Sequence, residues 1–171
     1  MLLYTTDHTS PCWGCGNYTA VDLHFANSTH WIGQLGASGH YSTELFAAEA
    51  VRVIDSHAAA TPDAAKRSWQ APLFLYLAFE AVHGASSCYA RGQPPNCEHP
   101  DDDELQVPQR YVQAQAHIER QNRRRYAGMV GALDEAVANV TAALRRARML
   151  SSSLLVFTSD NGGASPPHPP P

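Results

Sequence analysis

Strong charge of one sign is missing from this sequence. Its 171 residues carry 12 Lys and Arg against 16 Asp and Glu, a net charge of −4, and no field of that size draws a whole molecule to nucleic acid or an anionic membrane. Long apolar runs are missing too. The longest, Leu73 to Phe79, falls far short of the roughly 18 residues that span a bilayer, so no membrane span is expected. At the start, Met1-Leu2-Leu3 passes directly into Tyr4-Thr5-Thr6-Asp7, with neither a basic segment nor an apolar core of about 7–15 residues to make a secretory signal. What is present is ordinary globular material: 44% hydrophobic, 9% aromatic and 16% charged, away from the apolar-poor composition of disorder. The length fits a prior of about one domain.

Cysteine is scarce but not absent. Cys12, Cys15, Cys88 and Cys97 allow three pairings that the sequence does not choose among. Cys88 and Cys97 bracket a turn-rich octapeptide that a disulfide would close at low entropic cost. Cys12-Trp-Gly-Cys15 has the spacing of zinc knuckles and of redox motifs, yet a zinc site needs two more ligands, and a redox motif should open a helix. Gly16-Asn17-Tyr18 is a turn instead, which favours a local structural disulfide or two unrelated thiols. Asn17-Tyr-Thr19, Asn27-Ser-Thr29 and Asn139-Val-Thr141 match the N-glycosylation acceptor. Three such triplets beside four cysteines point to an oxidising, secretory-pathway setting. In that setting, the absent signal segment leads to the expectation that the chain is a piece of a longer protein.

Residues 1 to 42 show no sustained period and read as loop-rich. From Ser42 or Thr43, as cap, Leu45, Phe46, Ala48, Val51, Val53, Ile54 and Ala58 fall at helical spacing, up to a stop at Thr61-Pro62-Asp63. Leu73 to Phe79 is uninterrupted rather than alternating, which predicts a strand covered on both faces, as in a parallel sheet. Residues 84 to 104, with two cysteines, Pro94-Pro95 and the run Asp101-Asp102-Asp103-Glu104, read as a long surface loop. That acidic run lacks the spaced ligands of a calcium loop, so a solvated turn is the better reading. Between Asn122 and Leu150 the helical period returns, with Tyr126, Met129, Val130, Leu133, Val137, Val140 and Leu144 as one apolar stripe for core packing. Arg123 to Arg125 read as a solvated face; Arg145, Arg146 and Arg148 suit the negative end of the helix dipole. Leu154 to Thr158 is a second short apolar strand. Strand, loop, long helix, strand is a βαβ order with parallel strands. Residues 164–171 form a proline-rich tail outside any core.

In an open parallel sheet, ligands collect beyond the carboxyl ends of the strands. The first predicted strand delivers His83 there, and the second delivers Asp160-Asn161-Gly162-Gly163. A carboxylate beside a carboxamide offers hard oxygen ligands suited to calcium or magnesium rather than zinc, and the two glycines permit a sharp turn. Taken alone, the tetrapeptide also fits an ordinary turn, and His83 also fits a histidine without a chemical role.

Together the residues carry a resemblance. Pro72 to His83, then Leu105-Gln-Val-Pro108 with Tyr111, then Arg125 to Val130, Leu133 to Val137 and Asn139 to Leu144, and finally Val156 to Gly163, with Tyr41-Ser-Thr43 ahead of them, resemble the sulfatase family in its arylsulfatase B-like group. The resemblance covers about residues 40 to 163. It implies an α/β fold, a partial alkaline-phosphatase-like sandwich of mostly parallel sheet with flanking helices. Residues 1–163 would be part of a catalytic domain, with 84–104 an inserted loop. It implies sulfate-ester hydrolysis with one calcium ion and a formylglycine, acting on a sulfated glycan or aryl sulfate, in a lysosomal or secreted protein. By position, Asp160 and Asn161 are similar to calcium ligands, and His83 to the histidine that contacts the sulfate and assists the leaving oxygen.

The departures shape the expectation as much. No Cys or Ser stands in the C/S-x-P-x-R motif from which formylglycine is made, the paired N-terminal aspartates are missing, and Ala164 leads into prolines where the family carries a lysine. The chain alone is therefore expected to show no turnover. Two other readings remain open at this point. One is a secreted, non-catalytic binding module derived from a sulfatase, contacting partners through the proline tail and the insertion. The other is a phosphodiesterase of the same superfamily, against which the one-calcium pattern of Asp160-Asn161-Gly162-Gly163 with His83 argues. Oligomeric state is not readable.

Overall fold

The computed structural model describes residues 2–4, 24–26, 31–33, 40–60, 72–84 and 105–163. Cys12, Cys15, Cys88, Cys97, Asn17, Asn27, the insertion except Gly84, and the proline tail lie outside them. The N-terminal part, expected to be irregular, contains a small antiparallel sheet. It comprises β1 (Leu2–Tyr4), β2 (His24–Ala26) and β3 (Trp31–Gly33), in the order β1-β2-β3, with Leu3 opposite Phe25 and Phe25 opposite Ile32. Strands of three residues are too short for an alternating pattern to declare them.

The described core is helical. Helix α1 (Ser42–Ala59) begins one residue beyond Tyr41, whose carbonyl accepts from the amides of Glu44 and Leu45. It buries Thr43, Phe46, Ala47, Ala50 and Ile54, a set spaced by three, one, three and four residues that marks a single face. A short α2 (Gln109–Ala114) follows Pro108, and a long α3 (Gln121–Arg146) completes the set. The turn between them is held by Arg124, whose Nε donates to the Ile118 carbonyl at 2.7 Å.

The buried stripe of α3 differs from the expected one. Gly128, Met129, Ala132, Ala136, Ala143 and Leu144 are buried, whereas Tyr126 and Val130 are 47% and 45% exposed. Met129 and Leu144 belong to both stripes, and Val140 packs against the core cluster, so the expected stripe is displaced only at Tyr126 and Val130. Ala47 and Ala50 of α1 and Ala132, Ala136 and Ala143 of α3 are all buried, and small side chains let helix axes approach closely.

Three ion pairs show how α1 and α3 run. Arg110 of α2 reaches Glu44 at 3.0 Å and Glu135 at 3.9 Å, and Arg146 reaches Asp55 at 3.4 Å. Position 44 of α1 thus lies near 135 of α3, and 55 near 146, so the two helices are parallel. Ile54, Ala143, Leu144 and Ala147 form a buried apolar cluster, with Leu73, Met149 and Leu150 packed against it. The segment 73–80 starts at that cluster and ends where Glu80 raises the pKa of Tyr41, so it runs back against the direction of both helices.

Neither apolar run forms a hydrogen-bonded strand among the described residues. The first nevertheless keeps a period of two toward its far half. Leu73, Leu77 and Phe79 are half-buried, while Phe74 and Tyr76 are 90% and 82% exposed. One face lies on the helices and the other is bare. In the second run Leu154, Val156 and Phe157 are 90%, 77% and 74% exposed.

Candidate functional site

Both candidate site segments sit just beyond the apolar runs. After Phe79 the chain turns, with the His83 amide donating to the Glu80 carbonyl at 2.7 Å and a cis peptide between Ala81 and Val82. The turn leaves the His83 side chain exposed. The second segment is reached through the end of α3. There Arg148 takes a left-handed conformation, φ 56°, and the Met149 amide returns to the Leu144 carbonyl at 2.9 Å. This closes the helix and turns the chain through a single 3-10 turn (Leu150–Ser152) into Leu154.

At Asp160 the backbone folds on itself. The Asn161 amide donates to Asp160 Oδ1 at 2.9 Å, and the Ser159 hydroxyl donates to the Asn161 carbonyl. One carboxylate oxygen is thereby engaged, and both Asp160 and Asn161 are exposed residues. Gly162 and Gly163 have no left-handed backbone and nothing within 4 Å of an added Cβ. The sharp turn that two glycines would permit is therefore not made; the reversal is carried by Ser159, Asp160 and Asn161.

No hydrogen bond or ion pair joins His83 to Asp160 or Asn161, and no group of three His, Cys, Asp or Glu side chains comes together among the described residues. Oxygen donors of the right hardness for calcium are present, but two residues do not supply the six to eight oxygens that calcium takes. The donor type fits; the number does not. No helix among the described residues is long and apolar enough to cross a membrane.

A polar group that sequence patterning does not single out lies at the same end of the fold. Thr43 is fully buried, and its Oγ1, like the Tyr41 hydroxyl, makes no well-formed hydrogen bond. Burial pushes the Tyr41 phenol up; the nearby Thr43 hydroxyl moderates that rise, and the charges of Glu44 and Glu80 add to it. The signal of Tyr41 in the sequence is its place one residue before a helix and within the Tyr41-Ser-Thr43 stretch that shares in the family resemblance.

The chain matches the model of the sulfatase family over residues 3–170. It is also 36% identical over 126 residues to Arylsulfatase J of Mus musculus, an overlap of 74% of this chain and 16% of that protein. No solved structure matches significantly. The chain belongs to the sulfatase family. It spans about one sixth of the length of the curated relative it matches.

Proposed function

We propose that this chain is a portion of a sulfate-ester hydrolase whose residues His83, Asp160 and Asn161 belong to the site where the ester is cleaved. The carrying observation is that a sulfatase-family chain places these residues directly beyond the ends of its two apolar runs. The runs would be strands of an alkaline-phosphatase-like sheet with α1 and α3 on one face. The one-sided burial of 73–79 supports this, because a strand in such a sheet needs a second covering layer.

Asp160 Oδ2 and the Asn161 carboxamide oxygen would hold part of a calcium ion's coordination shell. A bound calcium supplies positive charge against the sulfate oxygens. The exposed His83 imidazole would donate a hydrogen bond to the ester and a proton to the departing oxygen. The substrate class is a sulfated glycan or an aryl sulfate. The setting is the secretory pathway, supported by an Asn139 side chain that is exposed on α3. The 171-residue chain itself is inactive, because the motif that yields formylglycine is absent from it.

A chimera tests the reading. Residues 72–84 and 150–163, placed in the corresponding segments of mouse Arylsulfatase J, should preserve hydrolysis of an aryl sulfate. His83→Ala or Asp160→Ala in the chimera should lower kcat at least 100-fold. A fully active His83→Ala chimera would remove His83 from the chemistry.

A further inference from the structure

The first turns of α3 carry a charge pattern that neither helix formation nor the hydrolase reading accounts for. Arg120 stands at the cap position, and Arg123, Arg124 and Arg125 follow. Cations are unfavourable there, because the free amides of a helix start carry partial positive charge, and no acidic residue occupies the first turn to offset them. Arg120 makes no capping hydrogen bond. Arg124 does have a structural task, holding the Ile118 carbonyl. Arg120 and Arg123 are exposed and form no ion pair among the described residues. Such a face differs from a bare apolar one, since arginine stays at the surface of a whole domain unless a carboxylate pairs with it. Tyr126, 47% exposed, comes three positions after Arg123, so ring and guanidinium share one side of the helix.

The same turns project from the fold. Arg110 contacts both Glu44 and Glu135, so those two residues are level, and Gln121 begins α3 about 20 Å ahead of them at roughly 1.5 Å per residue. Segment 73–80 runs toward that end of the helical layer, and the turn after it carries His83.

We propose that Arg120 and Arg123, with Tyr126, form a binding face for a sulfated glycan chain and hold sulfate groups other than the one cleaved. The choice of partner rests on the sulfate-ester hydrolase reading. A guanidinium offers paired N–H donors that match two oxygens of a tetrahedral anion, and the phenol ring beside it offers a flat apolar face to a sugar ring. Arg120 to Tyr126 covers about 9 Å of helix axis, on the scale of two linked sugars. A simple aryl sulfate has no second anion to place there, so the face selects the glycan from the two substrate classes. A net charge of −4 gives no general attraction to polyanions, and binding depends on this local face.

Fluorescence anisotropy of a labelled heparin oligosaccharide titrated with the 171-residue chain, at about 150 mM salt, reads the outcome. Saturable binding is expected, and Arg120→Gln with Arg123→Gln should weaken it about tenfold or more. Arg145→Gln with Arg148→Gln removes the same charge from the other end of α3 and should weaken it less than about twofold. Removing cations from a helix start does not cost stability, so the first pair should keep the circular dichroism and at least the Tm of the parent. Should it lose its fold, Arg123→Lys decides, because it keeps the charge without the fork: weaker binding supports the proposal and unchanged binding overturns it. The proposal also fails if the parent does not bind or if the two arginine pairs lose affinity equally. It fails again if the desulfated oligosaccharide, or a DNA oligonucleotide of equal charge, binds as well as the sulfated one. The readout is binding and not turnover, so an inactive chimera with Arylsulfatase J would sink the hydrolase reading of His83 without moving this result.

Discussion

Gly128 of α3 lies against the main chain of Tyr111 on α2. A Cβ at position 128 would stand 3.2 Å from the Tyr111 carbonyl carbon and 3.3 Å from both its oxygen and the Val112 nitrogen. All three neighbours are backbone and have no rotamer by which to withdraw. Gly128→Ala gains about 1 kcal/mol of helix propensity but loses about 1–3 kcal/mol to overpacking, so a net destabilisation of about 1 kcal/mol is expected. Gly131→Ala is the control, since its Cβ would meet only Gln115 Nε2, at 3.8 Å; it should stabilise by about 0.5–1 kcal/mol. Denaturant midpoints of the two variants should move in opposite directions.

Arg148 carries a backbone conformation that suits glycine. A side chain in the left-handed region costs about 1 kcal/mol, and helices end at such a residue most readily when it is glycine. Arg148→Gly should therefore raise stability by about 0.5–1 kcal/mol, read as a rise in Tm without change in helical content.

Alkaline pH should unfold the protein through Tyr41 and Tyr111. Burial raises both phenols above the ordinary 10.0; Glu44 and Glu80 add to the rise at Tyr41, and Glu135 adds to it at Tyr111, while Thr43 and Arg110 oppose it at Tyr41 and Tyr111 respectively. The unfolded chain then ionises first. The stability these groups contribute is complete below pH 10.0 and is lost as pH rises through their folded values. Tyr41→Phe should flatten the fall in ΔG above pH 10.0 relative to the parent, and absorbance of phenolate near 295 nm should show the delayed ionisation.

Calcium binding by the chain alone should be weak. Asp160 and Asn161 offer two residues toward a shell of six to eight oxygens, so terbium or calcium titration should show no saturation below about 1 mM. Saturable binding in the micromolar range, abolished by Asp160→Ala, would mean that further donors come from this chain.

Asn139 should carry glycan when the chain is expressed through the secretory pathway. The side chain is exposed, although the Thr141 hydroxyl is turned back onto the Val137 and Ala138 carbonyls at 3.0 and 2.9 Å. Glycan is added to the chain before such helix contacts form. Asn139→Gln should remove one glycosidase-sensitive step in electrophoretic mobility.

Both long helices are legible in the sequence because apolar spacing of three and four residues survives in any one-sided helix. Their packing is less so. Tyr126 and Val130 look like core by size, yet Ala132 and Ala136 take the interface, because closeness to α1 selects for small side chains and periodicity alone does not rank two adjacent stripes. Gly128 shows the same limit: its reason is the Tyr111 main chain, which is distant in sequence. For the site, His83, Asp160 and Asn161 are visible in the sequence as polar groups just beyond the two apolar runs, but the turn expected of Gly162 and Gly163 is made by Ser159, Asp160 and Asn161.

The absence of strong charge and of long apolar runs was a property of the sequence by itself, and among the described residues no helix is long and apolar enough to cross a membrane. Sequence also determined the helices, the family and the identity of the candidate site residues, since these depend on local spacing and on residue type. Only tertiary structure decided which face of α3 is buried, that α1 and α3 run parallel, and that 73–79 is covered on one face and bare on the other. Those outcomes depend on contacts between segments far apart in the chain, where shape and proximity select among patterns that are locally equivalent.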